Sequence, residues 1–167
     1  PVLCQTVQSS GTTYLDLAFD LSDAKADEIS KLSMWAMLLG ELNCDHLNYR
    51  ELQDLIYLET GGIITSMTLT RKLDGDYSVQ LLVRMKTLEE KWENGLDLLS
   101  KILLKTSFAQ ERRIRELLIR QRISMEQDFI NYGNSVATMR SEAYLNAVAR
   151  VGDQLYGLAY YDELCNL

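Results

Sequence analysis

The stretch Leu73-Asp74-Gly75-Asp76 constrains the fold more than any other. It separates two β-rich runs, Ile63 to Arg71 and Tyr77 to Lys86, and Asp-Gly between such runs is a strong short-range hairpin signal. Strands joined this tightly are antiparallel. After Lys86 the hydrophobic period is helical for the rest of the chain. A central hairpin with helical stretches on both sides predicts an α+β fold, an antiparallel sheet with helices packed on one face. One Pro in 167 residues leaves room for long helices.

Upstream, residues 13–21 alternate. Leu15, Leu17, Phe19 and Leu21 point one way, and Tyr14, Asp16, Ala18 and Asp20 the other, the pattern of a half-buried strand. Val2 to Val7 is expected to be its partner strand, with Ser9-Ser10-Gly11 as the turn. Ser22-Asp23 ends the strand, and a helical period runs from about Asp27 to Leu42. Ile29, Leu32, Ala36 and Leu39 form one stripe, widened by Trp35, Leu38 and Leu42, so this helix is packed on more than one side. Asn43 to Leu47 is a loop. Asn48-Tyr49-Arg50-Glu51 reads as a capping box, opening a helix to about Thr60 with Leu52, Leu55 and Ile56 inward and Gly61-Gly62 as its stop.

Thr87-Leu88-Glu89-Glu90 reads as a second capping box, opening a helix to about Lys105 with Trp92, Leu96, Leu99 and Leu103 on one face. A basic helix from about Ala109 to Tyr132 follows, broken by Gly133-Asn134. A small-residue helix extends to about Arg150, and Gly152-Asp153 separates it from a last amphipathic helix. The expected order is strand, strand, helix, helix, hairpin and four helices.

Apolar residues make up 47% of the chain and charged residues 25%, which excludes an intrinsically disordered composition. No apolar run approaches the ~20 residues needed to span a bilayer, and no signal peptide is visible, so no membrane partner is expected. Three widely spaced cysteines, Cys4, Cys44 and Cys165, are not a disulfide framework and fit a reducing compartment. The net charge is −7, yet residues 101–125 hold seven cations against Glu111 and Glu116, a net +5 that leaves −12 for the remainder. So acidic a chain with few aromatics among its cations is not expected to bind nucleic acid. The basic helix is either a solvated face, laced by pairs such as Glu111–Arg115 and Glu116–Arg120, or a face that docks on an acidic neighbour. Arg112, Arg113 and Arg120 are the candidate interface residues. Among other tempting groups, Asp16 and Asp20 share a strand face but fit an exposed sheet surface better than a catalytic carboxylate pair. No Gly-x-Ser-x-Gly, Cys/His pair, Gly-x-Gly-x-x-Gly or P-loop occurs.

Three stretches carry a family resemblance. They are Ser10 to Leu21; the block Leu38-Leu39-Gly40-Glu41-Leu42 … Leu47-Asn48-Tyr49-Arg50-Glu51-Leu52 … Glu59-Thr60-Gly61-Gly62-Ile63; and Gly157-Leu158-Ala159-Tyr160-Tyr161. Together they resemble the insulinase-like zinc metallopeptidases (pitrilysin superfamily, M16), of the presequence-protease type. The resemblance implies a metallopeptidase half-domain fold (LuxS/M16-like), residues 1–167 forming one α+β domain excised from a larger multi-domain enzyme, a reading that a start at Pro1 fits. In the family's active half, the helix after the first strand carries His-x-x-Glu-His, with both His on one face as zinc ligands. The corresponding helix here has Leu32, Ser33, Met34, Trp35 and Ala36 at the candidate positions and no His.

The resemblance therefore implies the non-catalytic half of a peptidase that degrades short or unstructured peptides. The chain would wall the substrate chamber and dock on the zinc-bearing half. It would hold no cofactor, the zinc lying in the other half. The alternative is a structural or assembly subunit of the same fold with no peptidase activity. The implied location is the bacterial cytoplasm, or alternatively an organelle matrix. His46 is the only His; with Cys44 and Asp45 it forms three adjacent donors that diverge, so a surface loop is expected rather than a metal site. Arg150 and Tyr156 have a spacing similar to that of a substrate-holding Arg and Tyr of the presequence-protease type, but those lie in the family's last domain. The expectation here is a helix-end Arg and a packed Tyr.

Overall fold

In the computed structural model, which describes residues 2–6, 8–73 and 76–167, the hairpin runs form β2 (Gly62–Arg71) and β3 (Tyr77–Leu88). Their register runs from Gly62 opposite Lys86 to Arg71 opposite Tyr77; the Asp74-Gly75 tip lies outside the described residues. The alternating segment forms β1 (Thr12–Asp20). Its partner is β3, antiparallel, from Thr12 opposite Leu88 to Asp20 opposite Gln80. The expected partner strand at Val2 to Val7 is not found: residues 2–6 have no strand structure, and Val7 is not among the described residues. The sheet order is β1-β3-β2. Val79, Leu81, Val83 and Met85 are all buried on one side of β3, and that apolar face makes it the central strand.

Among the described residues, seven α-helices follow or interrupt the sheet: α1 (Ile29–Leu38), α2 (Tyr49–Glu59), α3 (Trp92–Lys105), α4 (Glu111–Asn131), α5 (Gly133–Ala143), α6 (Ala147–Tyr156) and α7 (Leu158–Cys165). The main core joins Leu15 and Leu17 of β1, Ile63 and Met67 of β2, and Leu81, Val83 and Met85 of β3 to Ala36, Leu52, Ile56, Leu98, Leu99 and Ile102 of the helices. The opposite sheet face carries exposed Tyr14, Ile64 and the cross-strand pair Arg84–Asp16 at 3.2 Å. The α+β architecture is thus the one expected, with helices on one face.

The first capping box is present. Asn48 Oδ1 accepts from the N–H of Arg50 (3.0 Å) and Glu51 (3.1 Å), and Glu51 Oε2 accepts from the N–H of Asn48 (2.9 Å). The second is not. Thr87 stays in β3, buried, and its hydroxyl donates to the Glu59 carbonyl at 3.0 Å; a single 3-10 turn, Glu89–Lys91, leads into α3. The Gly61-Gly62 stop is also different from expectation. α2 ends because Thr60 turns extended, its hydroxyl donating to the Ile56 carbonyl (2.7 Å) and accepting from the Gly62 N–H (3.1 Å). α1 stops at Leu38, four residues early, and Gly40 at φ +81° turns the chain toward α2. The stretch from Gly133 to Arg150 is two helices rather than one: the break falls between Ala143 and Asn146, whose side chain accepts from the Ala149 N–H at 2.7 Å. Gly152-Asp153 accordingly lies inside α6.

Candidate functional site

β2 is an edge strand: β3 pairs with one side, and no strand among the described residues pairs with the other. Five consecutive residues, Ile63 to Met67, line a cavity of about 570 Å³. Side chains of a strand alternate between faces, so a cavity touching every residue of a run follows the edge of the strand rather than one face of the sheet. An edge offers unpaired backbone N–H and C=O groups to an added strand. The facing wall is built by Ser33 and Met37 of α1, Met125 and Phe129 of α4, and Tyr156 and Tyr160 of α6 and α7.

Long-range hydrogen bonds hold that wall in place. The Thr65 hydroxyl donates to the Ala36 carbonyl (2.8 Å), tying α1 to β2. Ser30 and Ser33 donate to the carbonyls of Gln154 (2.9 Å) and Leu155 (2.7 Å), tying α1 to α6. Met34, Met125, Tyr160 and Leu164 form a shared apolar cluster of α1, α4 and α7. Phe129 meets Tyr161 edge-on with ring centres 5.0 Å apart, and the Tyr161 hydroxyl donates to Glu126 at 3.0 Å. Burial pushes the Tyr160 phenol up to about 12, so it stays neutral near neutral pH. Behind the wall, Asp153 is buried. It pairs with Arg140 of α5 at 2.5 Å and accepts the N–H of Leu158 at 2.9 Å, which caps the start of α7.

The chemistry available in the groove is recognition. Its lining is mostly apolar, with the Glu41 and Asp128 carboxylates beside it. Ser33 and Met37, four residues apart on α1, are the side chains that α1 turns toward the groove, and neither suits zinc in place of a paired-His site. Among the described residues no three or more His, Cys, Asp or Glu side chains converge to hold a metal ion, so zinc does not fit the donor set that these residues offer.

The sequence-derived candidates are scattered. Arg112 is almost fully exposed and pairs with Glu116 at 3.1 Å. Arg120 is exposed and makes no ion pair among the described residues; Glu116, its expected partner, is taken by Arg112, while Glu111 does pair with Arg115 at 3.6 Å. Arg113 departs from the expected exposed cation. Its side chain is only 16% exposed, donates to the Glu41 carboxylate (3.1 Å) and carbonyl (3.3 Å), and lies 4.2 Å from the centre of the Tyr49 ring. It clamps α4 to the turn between α1 and α2.

The Cys44-Asp45-His46 donors diverge. Cys44 is buried, whereas His46 is exposed with Nδ1 2.9 Å from Asp45, and that contact lowers the Asp45 pKa. Asp16 pairs with Arg84, while Asp20 accepts from Ser22 and Ser78, bonds that lower its pKa. Arg150 is exposed at the outer surface of α6, and Tyr156 lies in the groove, half-exposed rather than packed away. Sequence reasoning missed Asp153, because the Gly152-Asp153 pair looks like a helix break. The signal that could have found it is Gly157 four residues later, where any Cβ would come within 2.9 Å of the Asp153 Cα.

A profile of the peptidase M16 (subfamily C) associated family matches residues 1–167. Presequence protease 1, chloroplastic/mitochondrial, of Arabidopsis thaliana is 23% identical over 167 residues, which are 99% of this chain and 16% of that protein. An uncharacterized protein of Borreliella burgdorferi is 21% identical over 138 residues, 83% of this chain and 14% of the relative. The chain thus spans about one-sixth of the first relative's length. The match runs through the β2 edge, the α1 wall and the α5–α7 cluster alike, and the chain belongs to the peptidase M16 (subfamily C) associated family.

Proposed function

We propose that this chain is part of the non-catalytic half of an M16-family zinc metallopeptidase that degrades short or unstructured peptides. It walls the substrate chamber, docks on the zinc-bearing half and receives peptide by strand addition along β2. The observation that carries this reading is the groove beside Ile63 to Met67, an unpaired strand edge facing an apolar wall. An extended peptide gains main-chain hydrogen bonds from such an edge and side-chain contacts from the wall. In this reading the groove binds peptide and hydrolysis falls to the other half, where a zinc ion would supply an activated water. No helix among the described residues is long and apolar enough to cross a membrane. The parent works in the bacterial cytoplasm or, as the name of the plant relative suggests, in an organelle.

The test is binding of a fluorescent unstructured decapeptide to the chain, beside the same peptide N-methylated at every amide. Strand addition predicts at least tenfold weaker binding of the methylated peptide, because the donors of both its edges are lost. Equal affinities, or no binding of either, would reject it and favour the assembly-subunit role.

A further inference from the structure

A second cavity, of about 870 Å³, continues the groove beyond Ile63 to Met67. It flanks Leu69 and Arg71 of β2 and is walled by α5 and α6, including Thr138, Glu142 and Gly152. Tyr156 lines both cavities and is 52% exposed. Its ring lies back along its own helix over Gly152: a Cβ at 152 would sit 3.2 Å from the Tyr156 hydroxyl and 3.6 Å from Cζ. Helical side chains lean toward the preceding turn, and the missing side chain at 152 gives this ring its bed. Val151 and Leu155, buried against Met67 and Leu69, fix this turn of α6 beside the part of β2 where one cavity gives way to the other.

We infer that Tyr156, bedded on Gly152, divides the trench into two side-chain subsites and sets the register of a peptide strand added to β2. The inference rests on the strand-addition reading and goes further by naming the peptide pattern. Residues on one side of an extended chain recur every second position, about 6.6 Å apart. The residue passing Tyr156 must be small. Two positions before and after it, side chains reach the cavities, a span that matches the stretch of β2 from Thr65 to Leu69. The first cavity, with Met37, Met125 and Phe129, takes a bulky apolar side chain. The second, with Arg71, Thr138 and Glu142 beside Leu69, Met139 and Val148, takes a side chain with an apolar stem and a polar end. The ligand is therefore an extended peptide that, added parallel to β2, has the pattern bulky–x–small–x–polar.

The test uses two labelled peptides read by fluorescence anisotropy: Leu-Thr-Ala-Thr-Gln in an unstructured host, and the same peptide with Phe for the central Ala. Wild type is expected to bind the Phe peptide about tenfold more weakly. Tyr156→Ala should bring the two within twofold. Gly152→Ala places a methyl 3.2 Å from the hydroxyl, so the ring must give by a few tenths of an ångström, and should reduce the preference. Gly152→Ala with Tyr156→Phe removes that clash and should restore it, a rescue that a purely structural role does not produce. The Gly152 pair carries the test alone should Tyr156→Ala fail to fold by circular dichroism. Equal binding of both peptides by wild type, with sensitivity to N-methylation intact, overturns the role of Tyr156 while leaving strand addition standing. A preference that survives in both Tyr156→Ala and Gly152→Ala also overturns it. If neither peptide binds wild type, strand addition fails and this inference with it.

Discussion

Replacing Asp153 by Ala should strongly destabilise the back wall of the groove. The carboxylate is 2% exposed and has two partners: the Arg140 guanidinium and the Leu158 N–H. Removing one member of a buried ion pair costs about 3–5 kcal/mol when the other is left stranded. Arg140 is 36% exposed, so water can recover part of its solvation, which brings that cost to about 2–3 kcal/mol. Losing the cap on α7 adds about 1 kcal/mol. For a chain of 167 residues each kcal/mol moves Tm by roughly 2–4 °C, so Asp153→Ala should lower Tm by about 10 °C. Asp153→Asn keeps an acceptor for Leu158 and should lose about two-thirds to three-quarters as much. Gly157→Ala should act like Asp153→Ala, because its methyl would press on the Asp153 Cα and the Met139 sulfur, both 2.9 Å from the Cβ position. Calorimetry gives the magnitudes, and amide exchange should show residues 133–167 opening before the sheet. A Tm change under about 2 °C for Asp153→Ala, or equal losses for Ala and Asn, would refute the division into ion pair and cap.

Two further outcomes follow from the same geometry. Arg113→Ala should cost about 2 kcal/mol, since it removes hydrogen bonds to Glu41 and the stacking on Tyr49, whereas exposed Arg120→Ala should stay within about 0.5 kcal/mol; denaturant midpoints that are equal for the two would contradict the clamp. Burial holds the Tyr160 phenol at about 12, above its ordinary value of 10.0, so the folded state keeps a proton that the unfolded state releases. Its contribution is complete below pH ~10 and is lost as pH rises toward about 12; Tyr160→Phe should flatten the fall in stability over that window, and an unchanged slope would rule the effect out.

What could be read from the residues, and what could not, divides by the range of the interaction. The Asn48 box and the hairpin runs were readable because each is completed within a few residues of its own chain. Thr87-x-x-Glu90 has the same local pattern as Asn48-x-x-Glu51, yet Thr87 sits at a buried end of the central strand, and its hydroxyl finds the Glu59 carbonyl instead. The expected strand at Val2 to Val7 failed for a related reason. β1 needed a partner, but β3, far along the chain, offers a continuous buried face that nothing near β1 reveals. The groove is the extreme case. The lack of His on α1 was plain from the sequence, but that Ser33 and Met37 meet β2, and that α4, α6 and α7 close over them, depends on contacts between residues up to 124 positions apart.

The glycines of α6 show how a correct residue signal can carry the wrong meaning. Gly152 reads as punctuation and Gly157 only as part of a family stretch, yet it is Gly157 that ends a helix. Neither has a positive φ, so neither is selected for backbone freedom. Gly157 is small because Asp153 and Met139 crowd it, and Gly152 because the Tyr156 ring lies across it. The first spacing binds α7 to the back of the wall and the second shapes its front. Two four-residue spacings, Gly152 to Tyr156 and Asp153 to Gly157, thus turn one helix into both the support and the lining of the groove.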